Sequence, residues 1–303
     1  MIKGRGRKAM AARTFLSFIL GLQLTLSTAA SALTAKQSGR VLDLPPRPKN
    51  ALTGSAFLNK IKTMAPAKRE KAIVTEILKG NIPNFQRFLY PVERRLTSGP
   101  YRGQILRFWA VPDYLAIGSD RDYVRVPLNM YSVKALAQKL DLSLPTAKMV
   151  DDIYAQAKVK LKPVPLPANK AITSANNILK HNSLVQNQLS HSSWRPGILL
   201  AGHKKDVVQS RRLTKKPGAI AIYGWHQKNA TPIQPLSTVH SADYADYSHG
   251  IRLVSNAVEI GTKTLDLRDV LSQSPTATLL SDEGVIPQPY YIKTRSTMPV
   301  AAH

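Results

Sequence analysis

Four histidines, His203, His226, His240 and His249, fall within the stretch Gly197–Arg252, and six of the seven in the chain lie between residues 181 and 249. Asp206, Asp243, Asp246 and Ser248 stand among them. Imidazole is the side chain that exchanges a proton near neutral pH. A carboxylate beside it fixes its tautomer and raises its basicity. Two chemistries suit such a set. Neutral imidazoles with one carboxylate could hold a zinc ion and activate water toward an amide or ester. Ser248 could instead act as a nucleophile with His203, His226 or His240 as its base. Neither pattern is strong. No HExxH or HxH pair is present, His203-Lys-Lys-Asp206 and His240-Ser-Ala-Asp243 match no zinc spacing, and no GxSxG elbow surrounds Ser248. On a strand Ser248 and His249 would point to opposite faces.

Around this set lie groups that could hold a substrate. Lys204, Lys205 and Arg252 suit a carboxylate or phosphate, and Tyr223, Trp225, Tyr244 and Tyr247 could stack on sugar rings. The candidate catalytic residues are His203, Asp206, His226, His240, Asp246, Ser248 and His249, with His226 and His249 the leading pair. The candidate substrate-binding residues are Lys205, Tyr223, Trp225, Tyr247 and Arg252.

Such residues need strands to carry them. Two apolar runs, Gly197–Gly202 and Ala219–Trp225, each end in a histidine, and runs of this length bordered by Gly and Pro read as buried strands. Asp206–Leu213 and Ala219–His226 flank a five-residue loop, 214–218, and read as a hairpin. Pairing Leu213 with Ala219 would set Asp206 opposite His226, a register that a one-residue slip destroys. Further strands are expected at Gln104–Val111, Asp113–Gly118, Tyr123–Pro127 and Leu253–Ile260. Helices are expected from Ala67, over Ser132–Leu140, after a Thr146 N-cap, over Asn176–Gln188 and over Leu265–Leu271. Helices and strands come in blocks, which predicts an α+β fold. The expected form is a single two-lobed domain, 67–286, with a helical N-terminal part, a strand-rich C-terminal part and a mainly antiparallel sheet. The lobes fall at about 67–165 and 176–286, joined by the proline-rich run Lys160–Pro167.

The N-terminus places Lys3, Arg5, Arg7, Lys8 and Arg13 before the apolar run Thr14–Leu26 and the small residues Ala30-Ser31-Ala32. That is the pattern of a secretory signal peptide, expected over 1–32, and it predicts an exported, periplasmic or extracellular protein. Residues 33–66, with Pro45, Pro46 and Pro48, read as a basic linker, and 287–303 as a tail. Removing the signal takes the net charge from +25 to +20. A field of that sign favours an anionic envelope polymer or polysaccharide, and export makes nucleic acid the poorer partner. No second membrane segment follows the signal. The chain has no cysteine, which excludes disulfides and thiolate catalysis and leaves stability to the core.

The blocks AVPDYLAIGSD (110–120), LPTAKMVDDIY (144–154), GHKKDVV (202–208), AIYGWH (221–226), PIQPLSTVH (232–240) and YADYSHGIRLVS (244–255) resemble a group of exported bacterial proteins. The resemblance spans most of 67–286. It implies one coherent domain and an exported setting, and it carries over no catalytic residue. Papain-like wall hydrolases and L,D-transpeptidases do not match, since their cysteine is missing. The expectation is an exported hydrolase of peptidoglycan or anionic polysaccharide working through the His/Asp/Ser cluster, with zinc as the candidate cofactor. A non-catalytic binding protein for the same polymers is the alternative.

Overall fold

The computed structural model describes Met1 and residues 40–287. The expected signal peptide, the start of the expected linker and the tail from residue 288 lie outside the described residues. The fold is α+β with mainly antiparallel sheets. Among the described residues no helix is long and apolar enough to cross a membrane.

The segment expected as a linker is folded from residue 40 onward. Helix α1 (Gly54–Ile61) buries Phe57, Leu58 and Ile61, which recur at i, i+1 and i+4 and so share one face. The prolines at 45, 46 and 48 obscure that short repeat. Helix α2 (Pro66–Leu78) starts on a proline, whose missing N–H costs nothing in a first turn, and buries Ile73 and Ile77. A 3₁₀ turn, Asn84–Arg87, leads into β1 (Tyr90–Arg95).

Next come β2 (Ile105–Ala110), β3 (Ala116–Gly118), β4 (Tyr123–Arg125), α3 (Met130–Lys139), β5 (Leu142–Ser143), α4 (Ala147–Gln156), β6 (Val159–Lys160) and α5 (Ala175–Ser190). Thr146 caps α4 by accepting from the Met149 amide, as its sequence position predicts, and Asn129 caps α3 through Ser132. Helix α4 lies between two cores: Met149 and Ile153 enter one, Val150 the other.

The C-terminal part supplies β7 (Leu200–Ala201), β8 (Lys205–Val207), β9 (Ile222–His226), β10 (Pro232–Ser237), β11 (His249–Gly250), β12 (Val254–Ile260), β13 (Lys263–Asp266), α6 (Leu267–Ser272) and α7 (Ala277–Leu280). One sheet runs β1-β2-β12-β13, with β5 also paired to β12. The boundary between 67–165 and 176–286 is thus crossed by an antiparallel β2–β12 pairing. The second sheet runs β10-β9-β8-β11, antiparallel except for the parallel β8–β11 pair. This sheet carries most of the candidate residues.

The predicted strand Asp206–Leu213 is shorter than expected. Pairing stops at Val207, and Ser210 caps a 3₁₀ turn, Arg211–Thr214, by accepting from the Arg212 amide. The register follows from that early exit. Lys205 pairs with Gly224, Asp206 with Tyr223 and Val207 with Ile222. Asp206 therefore does not lie opposite His226, which pairs with Pro232.

Candidate functional site

Strand β8 and the two residues before it send consecutive polar side chains into separate environments, because neighbours on an extended chain alternate in direction. His203 enters a sealed ion cluster. Asp113 precedes β3 and Arg125 ends β4, so the β3–β4 hairpin brings them together. Arg125 donates to both carboxylate oxygens, Nε at 3.0 and 2.9 Å and Nη2 at 2.6 Å, and its Nη1 donates to Asn182 Oδ1 on α5. His203 Nε2 lies 3.1 Å from Asp113 Oδ1. An ionised carboxylate only accepts, so Nε2 carries the proton and Nδ1 is the bare nitrogen. All three side chains are fully buried. Burial alone would raise the Asp113 pKa, but the Arg125 charge together with the hydrogen bonds and charge from His203 and Arg125 outweighs it and holds the carboxyl below its usual range. Burial lowers His203 to about 4, so the imidazole is neutral at pH 7.

Lys204 turns the other way and donates through Nζ to the Tyr247 carbonyl at 2.5 Å. It is buried, and desolvation first, then the Arg125 charge, lowers its pKa to about 7. Asp206 accepts from the Tyr114 hydroxyl at 2.7 Å. Arg252 Nε stands 3.6 Å from Asp206 Oδ1, an ion pair beyond hydrogen-bond length, so that oxygen has no hydrogen bond among the described residues. Burial raises Asp206 to about 6. Arg252 is anchored by donating to the Val111 and Leu200 carbonyls at 2.8 and 2.7 Å, and it lies over the Tyr114 ring. The ring packs against Gly250, where an added Cβ would sit 2.4 Å from Tyr114 Cδ1. Arg252, expected to hold substrate, is instead a fully buried bridge between segments.

His226 has its own acid. Its Nε2 lies 2.9 Å from Asp151 Oδ1 on α4, and the Tyr223 hydroxyl donates to the same carboxylate. Tyr154 stacks on the imidazole at 4.5 Å. The Asp151 side chain is 45 % exposed, while that of His226 is 3 % exposed, so only the acid of this pair meets solvent.

The fourth group is formed by the turn before β11. Asp246 Oδ1 accepts both the Ser248 amide at 2.7 Å and its hydroxyl at 2.6 Å, and Oδ2 accepts the Tyr244 hydroxyl at 2.9 Å. Burial would raise the Asp246 pKa, but the His249 charge and these hydrogen bonds lower it. The Ser248 proton is thus given to a carboxylate, and no imidazole is within hydrogen-bond reach of its oxygen among the described residues. His249 pairs in register with Lys205, is fully buried, and has neither ring nitrogen hydrogen-bonded. Burial lowers it to about 4. The half-buried His240 ring stacks on Tyr244 with centroids 4.3 Å apart and planes at 15°, and Lys205 is half-exposed beside Trp225.

The candidate residues thus form four groups rather than one hollow. No ring contact joins His226 to His249: the first belongs with Asp206 on one face of β8, the second with Lys205 on the other. Trp225 and Tyr247, expected to stack on substrate, are buried, whereas Tyr223 is half-buried and tied to Asp151. No three His, Asp or Glu side chains among the described residues are placed to share a metal ion. Residue patterns missed Asp113, Tyr114, Arg125 and Asp151. The available signal was a charge inside an otherwise apolar run, Asp113 in AVPDYLAIG and Arg125 in YVRVPL, since unpaired charges are rarely buried.

Comparison with protein-family models, with curated proteins and with solved structures finds no match to this chain.

Proposed function

We propose that this chain is an exported binding protein for an anionic envelope polymer, peptidoglycan or acidic polysaccharide, gripped by the face that Lys205, His240 and Tyr244 form. The observation that carries the reading is the His240–Tyr244 stack, whose two rings pack near His249, the register partner of the half-exposed Lys205. A flat aromatic pair suits a sugar ring and an ammonium suits its acidic substituent. Tyr244 is held from beneath by Asp246, so the stack is formed before ligand arrives and loses little freedom on binding. The strongly basic chain adds long-range attraction.

A hydrolase acting on the same polymer is the second reading, narrowed to Asp246, Ser248 and His249. It is favoured by the unpartnered ring nitrogens of His249, and it would require Ser248 to leave Asp246 for a base. Cosedimentation of the full chain with peptidoglycan sacculi, run alongside a fragment-release assay, separates the two. Tyr244→Ala and Lys205→Glu are expected to weaken binding by about fivefold or more each, the scale of one stacking or one charge contact. Polymer retained with wild-type affinity by both variants would sink the binding reading. Soluble fragments released by the wild type and lost in His249→Ala would establish the hydrolase.

A further inference from the structure

An open hollow of about 650 Å³ lies away from the histidines, between the segment at residues 44–47, the 3₁₀ turn at Asn84–Arg87 and the β3–β4 turn. Arg47, Arg87, Arg121 and Asp120 line it together with the apolar Leu44 and Pro46. Two of these guanidiniums are fixed by neutral groups. Arg47 donates Nε to Asn81 Oδ1 and Nη2 to the Ala51 and Leu52 carbonyls, which leaves both hydrogens of Nη1 unspent. Arg87 donates Nη1 and Nη2 to the Leu44 and Gly80 carbonyls and keeps its Nε hydrogen. Carbonyl partners orient a guanidinium without cancelling its charge. Arg121 is exposed and makes no hydrogen bond or ion pair among the described residues. The single acid, Asp120, is occupied by the Asn84 amide and side chain.

We propose that this hollow is an anion site for a phosphate monoester on a sugar-sized body. Three arginines against one carboxylate leave two positive charges, which match a phosphate dianion. Prefixed forks favour the tetrahedral oxygens, since little rotamer freedom is lost on binding. The volume exceeds what a phosphate needs and lies within the range of small-molecule sites, so the accessible Leu44 and Pro46 side is left for the ester's body. The site uses none of the residues in the Lys205–Tyr244 face and stands or falls apart from it.

Calorimetric titration of the full chain with inorganic phosphate, glucose 6-phosphate and glucose tests the assignment at matched ionic strength. Saturable binding of both phosphates is expected, tighter for the sugar ester, with none for glucose. Arg121→Glu, at an exposed position where folding is not at stake, should weaken glucose 6-phosphate by roughly tenfold or more, the scale of one charge-assisted contact. Arg87→Lys, which keeps the charge but loses the fork, should weaken it too, with circular dichroism reporting the fold. Lys205→Glu and Tyr244→Ala should leave it unchanged. Heats reproduced by sodium chloride, or wild-type affinity in Arg121→Glu, would overturn the site. An ester no tighter than phosphate would overturn the sugar-sized ligand.

Discussion

Asp113→Ala tests whether the buried ion cluster holds the site together. Asp113 receives three hydrogen bonds from Arg125 and one from His203, with all three side chains sealed from solvent. Removing the carboxylate strands a guanidinium in a medium that solvates it poorly. Breaking a buried pair in this way costs about 3–5 kcal/mol. For a domain of this size each kcal/mol moves the thermal midpoint by about 2–4 °C, so a fall of roughly 6–20 °C is expected. Urea unfolding followed by tryptophan fluorescence measures the loss directly. The double variant Asp113→Leu/Arg125→Met serves as the control. If an unpaired charge causes the damage, removing both charges should recover most of it, because apolar replacements of buried pairs are often neutral or stabilising. A loss below about 1 kcal/mol in Asp113→Ala, or a double variant no better than the single, would refute the reasoning.

Acid should unfold the protein early. Burial lowers His203 and His249 to about 4 and moves His181 down as well, so the stability they contribute is full above 6.5 and is lost as pH falls through 6.5 toward 4. Asp206, raised to about 6, acts in the opposite sense: its contribution is present below the ordinary 3.8 and fades as pH rises through 6. Three imidazoles against Asp206 would give a net uptake of about two protons on unfolding between about pH 4 and 6, or about 3 kcal/mol per pH unit, offset in part by Glu70 and Asp152, which burial also raises; urea midpoints that stay level from pH 7 to 5 would contradict this. Gly250→Ala should cost about 1–3 kcal/mol, the range for overpacking, because the new Cβ meets the Tyr114 ring at 2.4 Å. A Gly250→Ala protein with wild-type stability and an unmoved Tyr114 hydroxyl resonance would remove that ring from its assigned role.

Elements with a clear apolar period were legible in the residues. Strand β12 and helix α5 fall where the residues predict them, α4 and its C-cap bury Met149, Val150, Ile153 and Ala157 as their spacing marks, α2 buries Ile73 and Ile77, and the Thr146 cap falls where a hydroxyl after Pro145 predicts it. The site was less legible because its contacts are distant. Asp113 and His203 are 90 residues apart, and Asp151 and His226 are 75 apart. Periodicity reports which side of an element is apolar and carries nothing about which remote charge will meet it. The β8–β9 register differs from expectation for a local reason: β8 ends at Val207 and a hydroxyl cap at Ser210 turns the chain into a 3₁₀ turn, so a hairpin extended to Leu213 sets Asp206 against the wrong partner.

The buried charges explain why β8 holds one register. A sheet slip of one residue exchanges every inward and outward side chain. In β8 it would turn Asp206 toward the outer face and bury Lys205 against Tyr114 and Arg252, setting a cation between a phenol and a guanidinium. The same slip would pull His203 from Asp113 and Lys204 from the Tyr247 carbonyl. An apolar strand of three residues could slide at little cost, since Val and Ile interchange readily in a core. Four polar side chains with four separate partners cannot. The ion clusters beneath the sheet thus keep Lys205 on the face where its register partner His249 meets His240 and Tyr244, and a residue remote from that face, such as Asp113, positions the side chains on it.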